Sequence, residues 1–180
     1  MAIKFHHTSK EFHLYNEKIS YVIKVLKNGQ LGHVYYGKKL TDKESFEDLV
    51  EYARRDMAPY SFEGDSTFSL EHLKQEYPTF GSGDTRYPAF ELEREDGSRA
   101  VDFKYQSHEI IKGKRKLEGL PAVYVENEDE AETLEITLED EQIHTKIILS
   151  YTIFSQRPVI TKHVRFECEH PEGITLLNCM

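Results

Sequence analysis

The sequence has few of the features that would place it in a membrane or on a nucleic acid. Its 180 residues contain no apolar run near the ~20 residues of a membrane-spanning helix, and residues 1–7 lack the apolar core of a signal peptide. Lys and Arg total 23 against 32 Asp and Glu, which gives a net charge of −9. Because nucleic acids and anionic membranes are bound by clustered positive charge, we expect neither as a partner.

Cysteine is also scarce, with Cys168 and Cys179 as the two examples. A disulfide between them stays open as an alternative. We favour two reduced thiols in a cytoplasmic protein.

The length sets a further limit. A (β/α)₈ barrel requires ~250 residues, so 180 residues are too few for one. Hydrophobic residues make up 38% of the chain, which is enough for one domain with a substantial core.

The pattern that is present is an alternation of apolar and polar residues, which indicates strands with one buried face. It occurs in segments 19–26 and 31–36 around Asn28-Gly29, 90–93 and 101–106 around Asp96-Gly97, 134–139, 143–154 and 160–168. Within these segments we expect Glu135, Lys162, Arg165 and Glu167 on solvent faces. So many turn-linked strands predict a mainly β fold, an antiparallel β-sandwich.

One short helix is predicted between the strands. Thr41 and Glu44 have the spacing of a capping box, and Phe46, Leu49 and Val50 follow with helical spacing. The connection from residue 56 to 88 then combines six aromatic residues with prolines and glycines, a composition typical of functional or interface-forming loops.

The end of the sequence has the pattern of one more strand. Ile174, Leu176 and Leu177 are apolar, and the sequence stops at Met180 without a polar tail. We therefore expect the native chain to continue beyond this point.

The histidines do not form a convincing metal motif. His108-Glu109 begins like a zinc-protease helix, but Lys112 stands where the second histidine is required. His72 and Glu76 are four residues apart, a spacing that is common by chance, and the adjacent pair at residues 6–7 is expected to be solvated. We predict no bound metal and no cofactor.

Other catalytic patterns are equally incomplete. Residues 81–83 (Gly-Ser-Gly) lack the spacing of a nucleophile elbow and the third glycine of a dinucleotide loop. The acidic run 126–132 leaves Ca²⁺ binding open, but such a run is more often a solvated loop.

Several longer motifs follow one another in a fixed order along the chain. They are Leu31-Gly32-His33-Val34-Tyr35-Tyr36-Gly37-Lys38, Phe68-Ser69-Leu70, Gln75-Glu76-Tyr77-Pro78, Gly81-Ser82-Gly83-Asp84-Thr85-Arg86-Tyr87-Pro88-Ala89, Leu117-Glu118-Gly119-Leu120-Pro121-Ala122 and Val164-Arg165-Phe166. Together they closely resemble the N-terminal domain of bacterial α-galactosidases of glycoside hydrolase family 36, from about Phe12 to the end of the sequence.

The resemblance implies that residues 1–180 form a β-supersandwich domain that precedes a catalytic (β/α)₈ barrel. It implies a retaining glycosidase that removes terminal α-linked galactose from sugars such as melibiose and raffinose, with two catalytic Asp residues in the barrel. The Lys-Trp-Asp motif of the nucleophile is absent from a sequence without Trp. We therefore expect no catalytic residue here and no hydrolysis by this chain alone. The resemblance also implies a homo-oligomer, a tetramer, in which this domain takes part in subunit contacts.

The family also implies one substrate-binding acid in this domain, in the stretch before the Phe-Ser-Leu motif. The family order is Asp, Arg and an aromatic residue, whereas this sequence has Arg54-Arg55-Asp56. Asp56 is the candidate, although a shift in the alignment is needed to match it. The alternative for Asp56 is a loop acid paired with Arg55. The alternative for the whole chain is a free-standing carbohydrate-binding or interaction β-sandwich with no enzyme attached.

Overall fold

The computed structural model of the protein describes residues 2–53, 62, 65, 67–81, 84–119, 122–169 and 173–180. The strands are β1 (Ala2–His6), β2 (Glu11–Tyr15), β3 (Ile19–Val25), β4 (Leu31–Lys38), β5 (Phe90–Glu93), β6 (Lys104–Lys112), β7 (Ala131–Asp140), β8 (Thr145–Phe154), β9 (Ile160–Cys168) and β10 (Thr175–Cys179). The two short 3-10 turns are Glu47–Leu49 and Glu128–Glu130. The predicted mainly β fold with antiparallel sheets is confirmed.

The first sheet is an antiparallel meander in the order β1-β2-β3-β4. The predicted hairpin between β3 and β4 turns at Asn28-Gly29. Gly29 adopts a φ of 87°, in the left-handed region that glycine enters at little cost, and the Asn28 side chain accepts a hydrogen bond from the backbone N–H of Gln30.

The second four-stranded sheet is the meander β6-β7-β8-β9. Strands β7 and β8 pair over their whole length, with Ile136 opposite Leu149. The inward side chains of both sheets form one buried cluster, in which Phe12 and Ile23 of the first sheet join Ile136 of the second. Two sheets that share one apolar core form a sandwich.

A third, two-stranded sheet pairs β5 with β10. The strand predicted at the end of the sequence is therefore confirmed, but the hairpin predicted around Asp96-Gly97 is wrong. The turn itself forms, since the N–H of Arg94 donates to the carbonyl of Ser98. The strand that pairs with β5 is β10, and the return segment places Phe103 in the core, where its ring packs 5.5 Å from that of Phe90.

The predicted short helix is reduced to the 3-10 turn Glu47–Leu49, and no side chain caps it. The reason lies in Phe46, whose ring is fully buried and whose backbone N–H donates to the carboxylate of Glu11 at 2.7 Å. Glu11 lies on β2 and is itself fully buried. This anchor holds residues 39–53 against the outer face of the first sheet.

One predicted solvent position and one predicted strand face are also wrong. Glu135 of β7 is buried, and its carboxylate lies 3.7 Å from the guanidinium of Arg115. Lys162 is exposed as predicted, but it lies on the face of β9 that carries Val164 and Phe166, which pack against the core, and not on the opposite face. In the part of the chain that the structure describes, no helix has the length and apolarity needed to cross a bilayer.

Candidate functional site

The candidate residue Asp56 lies outside the described residues, as do Arg54 and Arg55. The structure does describe what holds the two ends of its segment. Val50, before it, and Phe62, after it, both pack against a second apolar cluster, separate from the main core. The buried members of this cluster are Leu26, Phe68, Leu70 and Leu73. The segment that carries Asp56 is thus anchored at both ends on the same apolar cluster, which we call the apolar base.

The cavity beside the apolar base is small. A cavity of about 70 Å³ lies between β3, β4 and the chain on either side of this segment, with Leu26, Val50 and Leu73 among its walls. Small-molecule sites usually measure ~300 Å³ or more. These described residues alone therefore do not enclose a sugar ring.

Arg86 fastens the segment 67–81 to the chain that follows it. Its guanidinium donates to the backbone carbonyls of Leu70 at 2.6 Å and Leu73 at 2.8 Å, and it is ion-paired with Asp84. Asp84 also accepts a hydrogen bond from the side chain of Gln75 at 2.6 Å. Burial alone would raise the pKa of Asp84, but the bonds from Arg86 outweigh it and lower the pKa.

A buried carboxylate, Glu76, joins this segment to both large sheets. The hydroxyl of Tyr21 on β3 donates to it at 2.6 Å, and the hydroxyl of Tyr151 on β8 donates at 3.0 Å. His33 Nδ1 of β4 lies 3.2 Å from the same carboxylate, and Lys162 of β9 is ion-paired with it. One side chain from an irregular segment therefore bonds to four different strands.

Glu76 stays ionised despite its burial. Desolvation is the largest influence and would raise its pKa, but the hydrogen bond from His33 and the charge of Lys162 outweigh it, and the pKa is lowered. Burial, followed by the charge of Glu76, raises the pKa of Tyr21, so this phenol remains a donor. With both carboxylate oxygens occupied, Glu76 is a structural anchor.

Sequence reasoning missed this anchor. The sequence presents Glu76 only as a chance spacing with His72 and as one residue of a longer motif. The predicted face of Lys162 on β9 is wrong, because strict alternation from Val164 places it inward. The motif Gln75-Glu76-Tyr77-Pro78 was the available signal.

A second polar group lies on the outer face of the first sheet. Asp42 Oδ1 lies 2.8 Å from His13 Nδ1 and 3.1 Å from His6 Nε2, and Asp42 Oδ2 accepts from Lys4 at 2.6 Å. Burial alone would raise the pKa of Asp42, but the bonds from His13, Lys4 and His6 lower it to about 2. The expectation that His6 is solvated is wrong, because its side chain is 10% exposed.

The remaining site predictions concern the two cysteines and the acidic run 126–132. Cys168 and Cys179 are exposed and free, so the favoured interpretation as two thiols is confirmed. The acidic run 126–132 forms the 3-10 turn Glu128–Glu130, with the side chain of Asn127 in a capping box. Its acidic side chains are mostly exposed.

The chain matches a known protein family over most of its length. Residues 29–180 match the Glycosyl hydrolase family 36 N-terminal domain. The chain belongs to this family. It is 42% identical over 180 residues to the alpha-galactosidase AgaA of Geobacillus stearothermophilus, covering 100% of this chain and 25% of AgaA.

Solved structures agree with this family assignment. The crystal structure of the GH36 alpha-galactosidase AgaB from Geobacillus stearothermophilus superposes with a TM-score of 0.89 at 42% identity, covering 99% of this chain and 24% of AgaB. A substituted AgaA in complex with raffinose gives a TM-score of 0.87 at 44% identity, covering 94% of this chain and 24% of AgaA. The chain thus spans about a quarter of the length of the relatives it matches.

Proposed function

We propose that this chain is the accessory N-terminal domain of an α-galactosidase that hydrolyses terminal α-linked galactose from oligosaccharides of the melibiose and raffinose type. The observation that carries the proposal is the match over the whole chain to alpha-galactosidase AgaA, at 42% identity. A related AgaA structure is a complex with raffinose, which supports this substrate class. The catalytic acids belong to a barrel outside the present sequence.

Within that enzyme, the domain supplies Asp56 to the substrate pocket. The support is the anchoring of the segment's ends, at Val50 and Phe62, on the apolar base. A carboxylate that accepts hydrogen bonds from sugar hydroxyls must be held in position, since each misplaced bond loses its contribution to binding. The cavity of about 70 Å³ fits a pocket whose other walls come from elsewhere in the enzyme.

The test compares two products of the same gene, the 180-residue chain and the full-length protein, on a nitrophenyl α-galactoside. We expect turnover by the full-length protein and none by the chain alone. Turnover by the chain alone would show that the chemistry does not reside in the barrel. A folded full-length protein without turnover would refute the activity.

The role of Asp56 is tested in the full-length protein by Asp56→Asn, with Asp48→Asn as the matched control. Asp48 lies just before this segment, is exposed and is paired with Lys43. We expect Asp56→Asn to raise KM for the galactoside at least about tenfold, in line with the loss of one charged hydrogen bond, and Asp48→Asn to leave KM unchanged. Equal KM values for both variants would show that Asp56 does not bind the substrate.

We further propose that the full-length enzyme is a cytoplasmic homo-oligomer, a tetramer, with this domain in its subunit contacts. Tyr36, Tyr87 and Tyr124 are more than half exposed, and exposed aromatic side chains are typical of interfaces. The free, exposed cysteines are in keeping with a reducing compartment. Light scattering on the full-length protein measures the assembly, and a monomer at assay concentrations would contradict it.

A further inference from the structure

Two histidines and one aspartate from three separate parts of the chain meet on the outer face of the first sheet. His6 lies on β1, His13 lies on β2, and Asp42 lies in the segment that covers them. Their ligand atoms, Nε2, Nδ1 and Oδ1, all lie within 4.8 Å of one another. No other group of three such ligands is found among the described residues.

We propose that His6, His13 and Asp42 bind one divalent transition-metal ion, for which Zn²⁺ has the matching ligand chemistry. Imidazole nitrogen and carboxylate oxygen are ordinary ligands of this ion, at ~2.0–2.2 Å. Ligand atoms at tetrahedral positions around it are therefore about 3.3 Å apart. The observed separations from Asp42 Oδ1, 2.8 and 3.1 Å, need to widen by only a few tenths of an ångström, and the two histidine nitrogens, which lie within 4.8 Å of each other, adjust to the same spacing.

The second layer of contacts supports the same site. His13 is fully buried, and its Nε2 lies 2.9 Å from the hydroxyl oxygen of Ser20. When Nδ1 holds a metal, Nε2 carries the proton and donates it to this oxygen, which fixes the ring orientation as outer contacts do in known metal sites. Ser20 also accepts the backbone N–H of Leu40 at 2.9 Å, so the oxygen is itself held in place.

The bound ion would act as a structural clamp. It would join two neighbouring strands to residues 39–53, the segment that leads to Asp56. His6 and Asp42 retain 10% and 21% exposure of their side chains, which gives solvent access for entry and for a water as fourth ligand. Lys4 is ion-paired with the other oxygen of Asp42 and opposes the ion by its charge.

The experiment titrates the untagged, chelator-treated 180-residue chain with ZnCl₂ by calorimetry. Co²⁺ absorption in the visible region reports the coordination geometry. We expect one ion per chain with a Kd in the micromolar range. His6→Gln and Asp42→Asn each weaken binding at least about tenfold, and Lys4→Met tightens it. His7→Gln is the matched control, since this exposed neighbour is outside the group and should bind as the parent chain does.

Folding is followed for every variant by far-UV circular dichroism. Zn²⁺ should raise the Tm of the parent chain and of His7→Gln, but not that of His6→Gln. A folded parent chain that fails to bind millimolar Zn²⁺ overturns the proposal. So does a folded His6→Gln that binds one ion with the parent affinity. If His7→Gln loses as much Zn²⁺ affinity as His6→Gln, the ion adsorbs to surface histidines, and this result would also overturn the proposal.

Discussion

The ammonium group of Lys162 on β9 is ion-paired with the carboxylate of Glu76, which lies in the irregular segment after β4. The side chain of Glu76 is 1% exposed, whereas that of Lys162 is half exposed. The ammonium also lies 5.3 Å from the ring centres of Tyr21 and Tyr151, one from each large sheet. The pair therefore connects the edge of the second sheet to the segment 67–81.

Glu76→Gln should destabilise the domain by about 2–4 kcal/mol, because the variant leaves Lys162 without its counter-ion and an amide cannot accept every bond made to a carboxylate. Urea unfolding measures the change. Glu167→Gln, on β9 and paired with Arg165 at the surface, is the control and should change the stability by less than about 1 kcal/mol. Equal losses for the two variants would show that burial of Glu76 contributes nothing.

The same carboxylate should make stability depend on pH. Its pKa in the folded chain is below the ordinary value of 4.5, so the unfolded chain takes up a proton at higher pH than the folded one. The stabilisation is present above pH 4.5 and is lost as the pH falls through the folded pKa. Unfolding curves at a series of pH values should show that the free energy of unfolding falls less at acid pH in Glu76→Gln than in the parent chain. Parallel losses would assign the acid sensitivity to other groups.

Phe46→Ala should cost about 3–5 kcal/mol, since this fully buried ring is the apolar contact that seats the segment 39–53 on the first sheet. Leu49→Ala lies in the adjoining turn, where the side chain is 41% exposed, and should cost less than about 1 kcal/mol. Thermal unfolding distinguishes the two variants. If Leu49→Ala proves as costly, the segment is held by the turn rather than by Phe46.

Arg86→Lys should loosen the segment 67–81. A lysine cannot reproduce the forked donation to the carbonyls of Leu70 and Leu73 together with the bond to Asp84, and we expect a loss of about 1–3 kcal/mol. Limited proteolysis should cut residues 67–81 faster in Arg86→Lys than in the parent chain. Arg99→Lys, at a surface pair with Glu93, should leave the cleavage rate unchanged. A faster rate in both variants would argue against a specific clamp.

Local pattern was a good guide where one strand simply follows another. The alternation in 134–139 and 143–154 predicted β7 and β8, and Asn28-Gly29 predicted the turn between β3 and β4. In each case the partner is adjacent in the chain, so the information needed is local.

Pattern failed where a distant side chain decides the outcome. The capping residues Thr41 and Glu44 predicted a helix, but the buried Glu11, far away on β2, takes the N–H of Phe46. The hairpin prediction around Asp96-Gly97 failed because of a distant strand, since β5 pairs with β10. Charge misled at Lys162 and Glu135, since both are compensated by partners that alternation cannot reveal. The family motifs contain Glu76 and Arg86, but they do not indicate the hydrogen bonds and ion pairs that these residues form.

The pairing of β5 with β10 affects the order in which the chain can fold during synthesis. Every ladder of the two larger sheets joins consecutive strands, so each can form from local contacts as the chain leaves the ribosome. The β5–β10 ladder instead joins Phe90 to Cys179 across nearly half the sequence. Until β10 has been made, one edge of β5 lacks this partner and is open to pairing with other nascent chains.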